Sequence, residues 1–359
     1  MFGGAELFQR PRRITMTKSP FTLFEAEVLP GLEQLAADDI RARAGHANQS
    51  VVARTGAVTF TYTGALSQLN TLKIATAVYG SVIFNVPRPK ALLGHEHLSR
   101  LIKICQEVLQ PARAQFSSAG LDAAGDDSSV MQRLMQELAQ RLVLDVSEER
   151  GDLNLRIRRP RVDEGWEVLV RLTPRPLATR DWRVVNYKGA VFAPIAYAMA
   201  GMTRPSPDDR VLNLCCGSGS LLIERAAHGL TSVIEGCDIS AEALDAARQN
   251  LAAAHVSAVL SDADARNLPY ADGSFNVLLA DLPFGQLVGS HHDNLTLYPA
   301  ILAEAARVAS PGAHFAILSH EKRLMTKILA EQSAWRIENS LPLNQNGLHP
   351  EITLLRRAN

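Results

Sequence analysis

Three acids fall where a chain of alternating strands and helices can gather them at one end of a sheet: Asp238, Asp264 and Asp281. Asp281 has the most specific surroundings. The apolar run Val277-Leu278-Leu279-Ala280 delivers Asp281-Leu282-Pro283-Phe284-Gly285, an acid, a proline and an aromatic just past a strand end, where open parallel sheets bind ligands. That set suits transfer to an exocyclic amine on a base ring. Such an amine gives its lone pair to the ring and is a poor nucleophile. Asp281 can accept one amine hydrogen and a backbone carbonyl such as that of Leu282 the other, which favours the pyramidal, attacking form. Phe284 can stack on a base that has left its own stack. Pro283 fixes the turn and removes a competing N–H. An ordinary carboxylate, with a pKa of about 4, is a weak base, so the expected role of Asp281 is to align the amine and stabilise its growing charge. The alternative is a buried strand end carrying a structural Pro-Phe turn.

A second constellation lies upstream. Val211-Leu212-Asn213-Leu214-Cys215-Cys216-Gly217-Ser218-Gly219-Ser220 reads as a buried strand, a glycine turn and the start of a helix. Gly217 and Gly219 let the backbone approach a ligand closely; a tight turn that binds nothing is the bland alternative. Asp238 ends the next strand, where an acid can accept from both hydroxyls of an adenosine ribose. Ser240 can cap the helix Ala241 to Ala254, so Asp238 is not needed for that. Asp264, followed by Ala265, comes after the third strand and can accept from an adenine amine; its alternative is an ordinary loop carboxylate. Asn213, Cys215, Ile239, Ala265 and Asp281 complete the expected cofactor contacts. NAD enzymes share the first two features but prefer a glycine or alanine where this chain has Leu222. The order of landmarks resembles the class I, Rossmann-like methyltransferases, which implies S-adenosylmethionine as cofactor. That family usually has an acid where this chain has Asn213, which brings no negative charge.

Elements that can position these residues are legible. After Ala190 come a helix, the strand Arg210 to Leu214, a helix, the strand Val233 to Cys237, a helix, then strands over Ala258 to Leu260 and Val277 to Ala280. The helix Leu297 to Val308, the strand Ala313 to Ser319 and the helix Lys322 to Glu331 follow. This spacing implies α/β architecture with a parallel sheet. Strands at Trp335 to Leu341 and Ile352 to Arg356, with turn residues Asn344 to Gly347 between them, predict an antiparallel hairpin that closes a seven-stranded sheet. Before residue 190 the elements are shorter. Strands are expected at Phe21 to Val28, Ala57 to Tyr62, Ser81 to Val86, Asp152 to Arg158 and Trp166 to Leu172. Helices are expected at Leu32 to Arg43, Leu66 to Ala77, Leu98 to Leu109 and Ser128 to Leu142.

The tail of the Asp281 motif narrows the resemblance. Asp281 to Gly285, then Gly289-Ser290, Asn294 and Leu297-Tyr298-Pro299, closely resemble the THUMP-domain tRNA guanine-N2 methyltransferases. Pro30-Gly31-Leu32-Glu33, a helix ending in Arg41 and Arg43, and a strand at Gly56 resemble the ferredoxin-like domain that opens those enzymes. The resemblance implies a flexible tail over 1–20, a ferredoxin-like domain over 21–90, a THUMP-like RNA-binding domain over 91–175, a connector over 176–189 and the methyltransferase domain over 190–359. It also implies RNA as partner, tRNA first, with methylation of guanine N2 in the acceptor stem, position 6 being frequent among relatives. In the connector, Asn186 to Ala190 stand where relatives show a His-Pro-Ala-like segment. Three other readings stay open: guanine N2 in ribosomal RNA, adenine N6 in nucleic acid, and a catalytically inactive RNA-binding homologue.

Composition bounds the rest. The 359 residues carry 37 Lys plus Arg against 37 Asp plus Glu, so no global field holds a polyanion. That balance counts against an RNA substrate and leaves local patches: Arg156, Arg158, Arg159 and Arg161, with Arg180, Arg183 and Lys188 in the connector. A solvated face is their commoner meaning. Cys105, Cys215, Cys216 and Cys237 match neither a disulfide framework nor a zinc site. His291-His292-Asp293 lacks a third placed ligand, so no metal is expected. No stretch approaches the roughly 20 apolar residues of a membrane span, and a cytoplasmic address is expected.

Overall fold

The computed structural model describes residues 19–45, 48–161, 163–283, 291–345 and 347–358. Phe284 and the rest of 284–290, on which part of the sequence motif falls, lie outside the described residues, as does the expected tail up to residue 18.

Two sheets organise the chain. The first has eight strands: β1 (Leu23–Glu27), β2 (Asn48–Arg54), β3 (Ala57–Tyr62), β4 (Ala77–Phe84), β5 (Ser118–Ala123), β6 (Asp145–Val146), β7 (Leu153–Arg158) and β8 (Trp166–Arg171), in the order β2-β3-β1-β4-β8-β7-β5-β6. Its helices are α1 (Glu33–Ala44), α2 (Leu66–Leu69), α3 (His95–Leu109) and α4 (Ser129–Leu142). The join between β4 and β8 is antiparallel, from Tyr79 opposite Arg171 to Phe84 opposite Trp166. Strands expected in the ferredoxin-like and THUMP-like stretches thus form one continuous sheet. The helix expected over Leu66 to Ala77 is only α2. Beyond it the Asp39 carboxylate accepts from the Lys73 and Ile74 amides, at 2.9 and 3.4 Å, and holds the chain out of helical form.

The second sheet holds β9 (Arg210–Leu214), β10 (Val233–Asp238), β11 (Val259–Asp262), β12 (Phe275–Asp281), β13 (Ala309–Ser319), β14 (Trp335–Pro342) and β15 (Glu351–Arg357). Their order is β11-β10-β9-β12-β13-β15-β14. All pairings are parallel except those of β15, which runs antiparallel to β13 and β14. The seven-stranded sheet with its closing hairpin is as expected. Helices α5 (Ala193–Met202), α6 (Ser220–Ala226), α7 (Ala241–Ala253), α8 (His291–Val308) and α9 (Lys322–Ala330) cover it. The order reverses between β9 and β12. The crevice beyond the carboxyl ends of these two strands is where such a sheet takes ligands.

The two halves are packed together. One cluster of buried apolar side chains runs from Phe24 and Leu32 through Ile195 and Val211 to Leu343 and Leu354. Gly31, at φ +106°, meets the β14–β15 turn so closely that an added Cβ would lie 2.3 Å from the Pro342 carbonyl oxygen. The Asn344 amide donates to the Pro30 carbonyl at 3.0 Å. Arg43 on α1 donates to the Tyr197 hydroxyl on α5 at 2.5 Å, and Tyr197 stacks on His228 with ring centroids 3.8 Å apart. No helix among the described residues is long and apolar enough to cross a membrane.

Candidate active site

A cavity of about 710 Å³ opens at the reversal point, within the usual range for small-ligand sites. β9, β10, β11 and β12 feed it. Buried Val211, Leu212 and Leu214 fix β9, and the chain then enters the glycine turn through Cys215 at φ +51°. Such a backbone angle is costly for a non-glycine residue and is held only where the surroundings enforce it. Gly217 follows at φ +52°, and an added Cβ there would meet nothing within 4 Å, so the space over the turn is open.

Asp238, at the end of β10, is already organised. One carboxylate oxygen accepts from the Gly217 amide at 2.9 Å and the other from the Ser240 amide at 3.0 Å. Ser240 in turn caps α7 by accepting from the Ala243 amide at 3.2 Å. Each carboxylate oxygen retains a second lone-pair site, so Asp238 can still receive two hydroxyls. Asp264 is gripped by Arg266, with contacts between 2.6 and 3.0 Å, and these hold its carboxyl below the usual range. Between the two acids Ile239 lines the cavity although its side chain is 71% exposed; an apolar surface there suits the face of a flat ring. Ala265 and Cys215 line it too, and burial pushes the Cys215 thiol up.

Asn213 is not among the lining residues. It is fully buried below the cavity, and its amide donates to the Leu214 and Leu279 carbonyls, both at 3.1 Å. Its Oδ1 has no partner among the described residues. An ionised acid here would face two carbonyl oxygens, so the amide fits a site that spans β9 and β12.

Asp281 ends β12 on the floor of the same cavity. Burial raises its carboxyl from the ordinary 3.8 to about 7. This differs from the weak carboxylate the sequence predicts: desolvation disfavours the charged form and makes Asp281 a stronger proton acceptor near neutral pH. The Leu282 amide donates to Leu318 on β13 at 3.1 Å. The Pro283 carbonyl accepts from Asn294 at 3.1 Å and from the Tyr298 hydroxyl at 2.7 Å. Both donors sit on one face of α8.

The connector closes one wall with Tyr187, Lys188 and Gly189. Asn250 on α7 ties it down, since its side chain accepts from the Val185 amide and donates to the carbonyls of Val185 and Ser218, at 3.0 to 3.3 Å. Arg183 donates to Val191 and Ser220 at 2.8 and 3.1 Å. Arg180 is buried and pairs with Glu224 on α6 at 2.8 Å, while also donating to the Lys73 carbonyl at 2.7 Å. Arg156 meets Glu27 and Asp122, at 2.9 and 3.2 Å. Arg158 meets Glu25 and Glu167, at 2.6 and 2.7 Å. Arg159, Arg161 and Lys188 are exposed, Arg159 lying 4.4 Å over the Trp166 ring. Sequence reasoning missed Arg266 and Asn250 as partners of the site, while Glu224, for which the sequence leaves a structural and a functional role equally open, pairs with Arg180. Only the two-residue spacing of Asp264 and Arg266 could have hinted at the first.

The glycine turn, the acid at the end of β10 and the sheet order define the C-terminal half as a class I methyltransferase domain, the kind that uses S-adenosylmethionine. Residues 180–350 match the family model described as "RMKL-like, methyltransferase domain". The domain is related to the tRNA guanine(6)-N2 methyltransferases. It is 30% identical over 179 residues to the mouse "tRNA (guanine(6)-N(2))-methyltransferase THUMP3", a stretch covering 46% of this chain and 35% of that protein. It is 29% identical over 190 residues to the "tRNA (guanine(6)-N2)-methyltransferase" of Thermus thermophilus, covering 52% of this chain and 56% of that one. This chain therefore spans about a third to a half of the length of these relatives. In fold, the whole chain is similar to the crystal structure of TrmN from Thermus thermophilus: TM-score 0.71 at 22% identity, covering 94% of this chain and 99% of that one.

The residues present fit S-adenosylmethionine. The open space over Gly217, the spare acceptor sites of Asp238, the Asp264 carboxylate and the bare Ile239 surface form one wall that a nucleoside can line. The cofactor supplies, when bound, a methyl group activated by a sulfonium.

Proposed function

We propose that this protein methylates the N2 amine of guanine in tRNA, in the acceptor stem, with position 6 as the first candidate. The observation that carries this reading is the placement of a desolvated Asp281 on the floor of the cavity whose rim holds the Gly217 turn and Asp238. The relatives named above, which act on guanine 6, supply the base and the RNA.

In this reading Gly217, Gly219, Asp238, Ile239, Asp264 and Ala265 hold the cofactor, with Asn213 and Cys215 shaping the turn beneath it. Asp281 accepts a hydrogen from the guanine amine and directs its lone pair toward the methyl group. Its raised proton affinity suits it to take the proton that the methylated nitrogen sheds. Pro283 directs the chain that carries Phe284, and Phe284 stacks on the base. The first eight-stranded sheet, spanning the ferredoxin-like and THUMP-like stretches, holds the RNA. Arg156, Arg158 and Arg180 already meet carboxylates, so phosphate contact falls mainly to Arg159, Arg161, Lys188 and the partly covered Arg183.

The test is transfer itself. Purified protein, cofactor and unmodified tRNA are incubated, and the nucleosides are resolved by mass spectrometry. N2-methylguanosine mapping to the acceptor stem is expected. Methylated adenine, methylation confined to ribosomal RNA, or RNA binding without transfer would each replace this function with one of the other readings.

A further inference from the structure

We propose that Asn294 and Tyr298 are positioning residues that set the geometry of Asp281 by clamping the carbonyl of Pro283, two residues further along the chain. This rests on the function proposed above.

Asn294 and Tyr298 are four residues apart on α8, so both side chains project from one face. Both are completely buried, and both donate to the same oxygen, that of Pro283. Burial pushes the Tyr298 hydroxyl up to about 12, so it keeps its proton and stays a donor. The Asn294 Oδ1 has no partner among the described residues. The Asn294 side chain enters the clamp through its amide donor.

Two hydrogen bonds to one oxygen hold the Pro283 carbonyl in place. On the other side the Leu282 amide is held by Leu318. The two residues after Asp281 are thus gripped from α8 and from β13, while the Asp281 carboxylate faces the cavity. Tyr298 also lies 3.4 Å from Ser319, whose hydroxyl accepts from the Glu321 amide at 3.0 Å. Glu321 pairs with His291 at the first turn of α8, at 2.9 Å. Of these contacts, the one between His291 and Glu321 registers α8 against the chain after β13 without using the Tyr298 hydroxyl.

The experiment uses the full chain with Tyr298→Phe, which keeps the ring, Asn294→Ala, and the double variant. Three quantities are read: amide hydrogen exchange at Leu282, the single-turnover rate of methyl transfer to tRNA, and the affinity for S-adenosylhomocysteine by calorimetry. Each single variant should speed exchange about five- to tenfold, the loss of one hydrogen bond. Each should slow transfer by up to ~10²-fold, the cost of a misplaced reacting group. The two rate effects should be less than multiplicative in the double variant, because they act on one oxygen. Affinity for S-adenosylhomocysteine should stay within about twofold of wild type, since the cofactor wall is untouched. Unchanged exchange at Leu282 in Tyr298→Phe, or faster exchange with an unchanged transfer rate, overturns the proposal. Absence of transfer by the wild-type protein overturns the proposed function instead, and exchange then decides whether the clamp exists.

Discussion

The rim and the floor of one cavity handle their carboxylates in opposite ways. On the rim, Asp238 accepts from two backbone amides and Asp264 from an arginine, so both are oriented before any ligand arrives. On the floor, burial lifts the Asp281 carboxyl to about 7. Under the proposed function, the difference separates two tasks. Holding a neutral sugar and a ring amine needs acceptors fixed in place. Receiving a proton that becomes acidic only during reaction needs an acceptor whose affinity lies near the working pH.

The sharpest way to break this contrast is Asp281→Ala. Loss of a preorganised acceptor should lower the single-turnover rate by on the order of 10²–10³ and leave S-adenosylhomocysteine affinity nearly intact. Near wild-type turnover would place the chemistry elsewhere. Asp238→Ala should do the reverse: calorimetry should lose about 1.5–3 kcal/mol of cofactor affinity, with the rate at saturating cofactor much less affected. Unchanged affinity would remove Asp238 from the rim.

Acidity offers a third handle. Only the ionised Asp281 can accept the proton, so the transfer rate should rise about tenfold per pH unit below pH 7 and level above it. Stability should move the other way. Between the unfolded value of 3.8 and the folded value of about 7 the folded state binds the extra proton, so the group's contribution falls as pH rises through that window. Asp281→Asn should flatten that slope in urea melts across the same window; an unchanged slope would mean that the carboxyl is not desolvated. The smallest effect is expected from Arg266→Ala. The Arg266 side chain is 55% exposed, so cofactor affinity should change by less than about fivefold. A larger loss would make Arg266, and not only Asp264, a contact of the cofactor.

The site was legible where it sits at strand ends. Asp281 follows an apolar run, Asp238 and Asp264 follow short strands that are only partly apolar, and Gly217 and Gly219 come just after the apolar strand β9, so position along the chain gave position in space. What was hidden depends on folding. Neither the Asn294–Tyr298 grip on Pro283 nor the Arg180–Glu224 pair has a local signature. The raised proton affinity of Asp281 comes from burial, which no spacing encodes. In the first half, β2 and β5 escaped notice because Asn48–Arg54 is polar and Ser118–Ala123 is rich in small residues, poor material for a strand read by itself. The segment after Leu69 mimicked a helix because Leu72, Ile74 and Ala75 are buried, although they belong to a loop that packs into the core.

The docking of Gly31 onto the β14–β15 turn has a further meaning. Because the two halves share one core and meet backbone to backbone, their separation is set by packing and not by a tether. Under the proposed function the molecule is a ruler. RNA held on the first sheet presents to Asp281 whichever nucleotide lies one fixed span away, and the choice of base is a matter of length before it is one of letters.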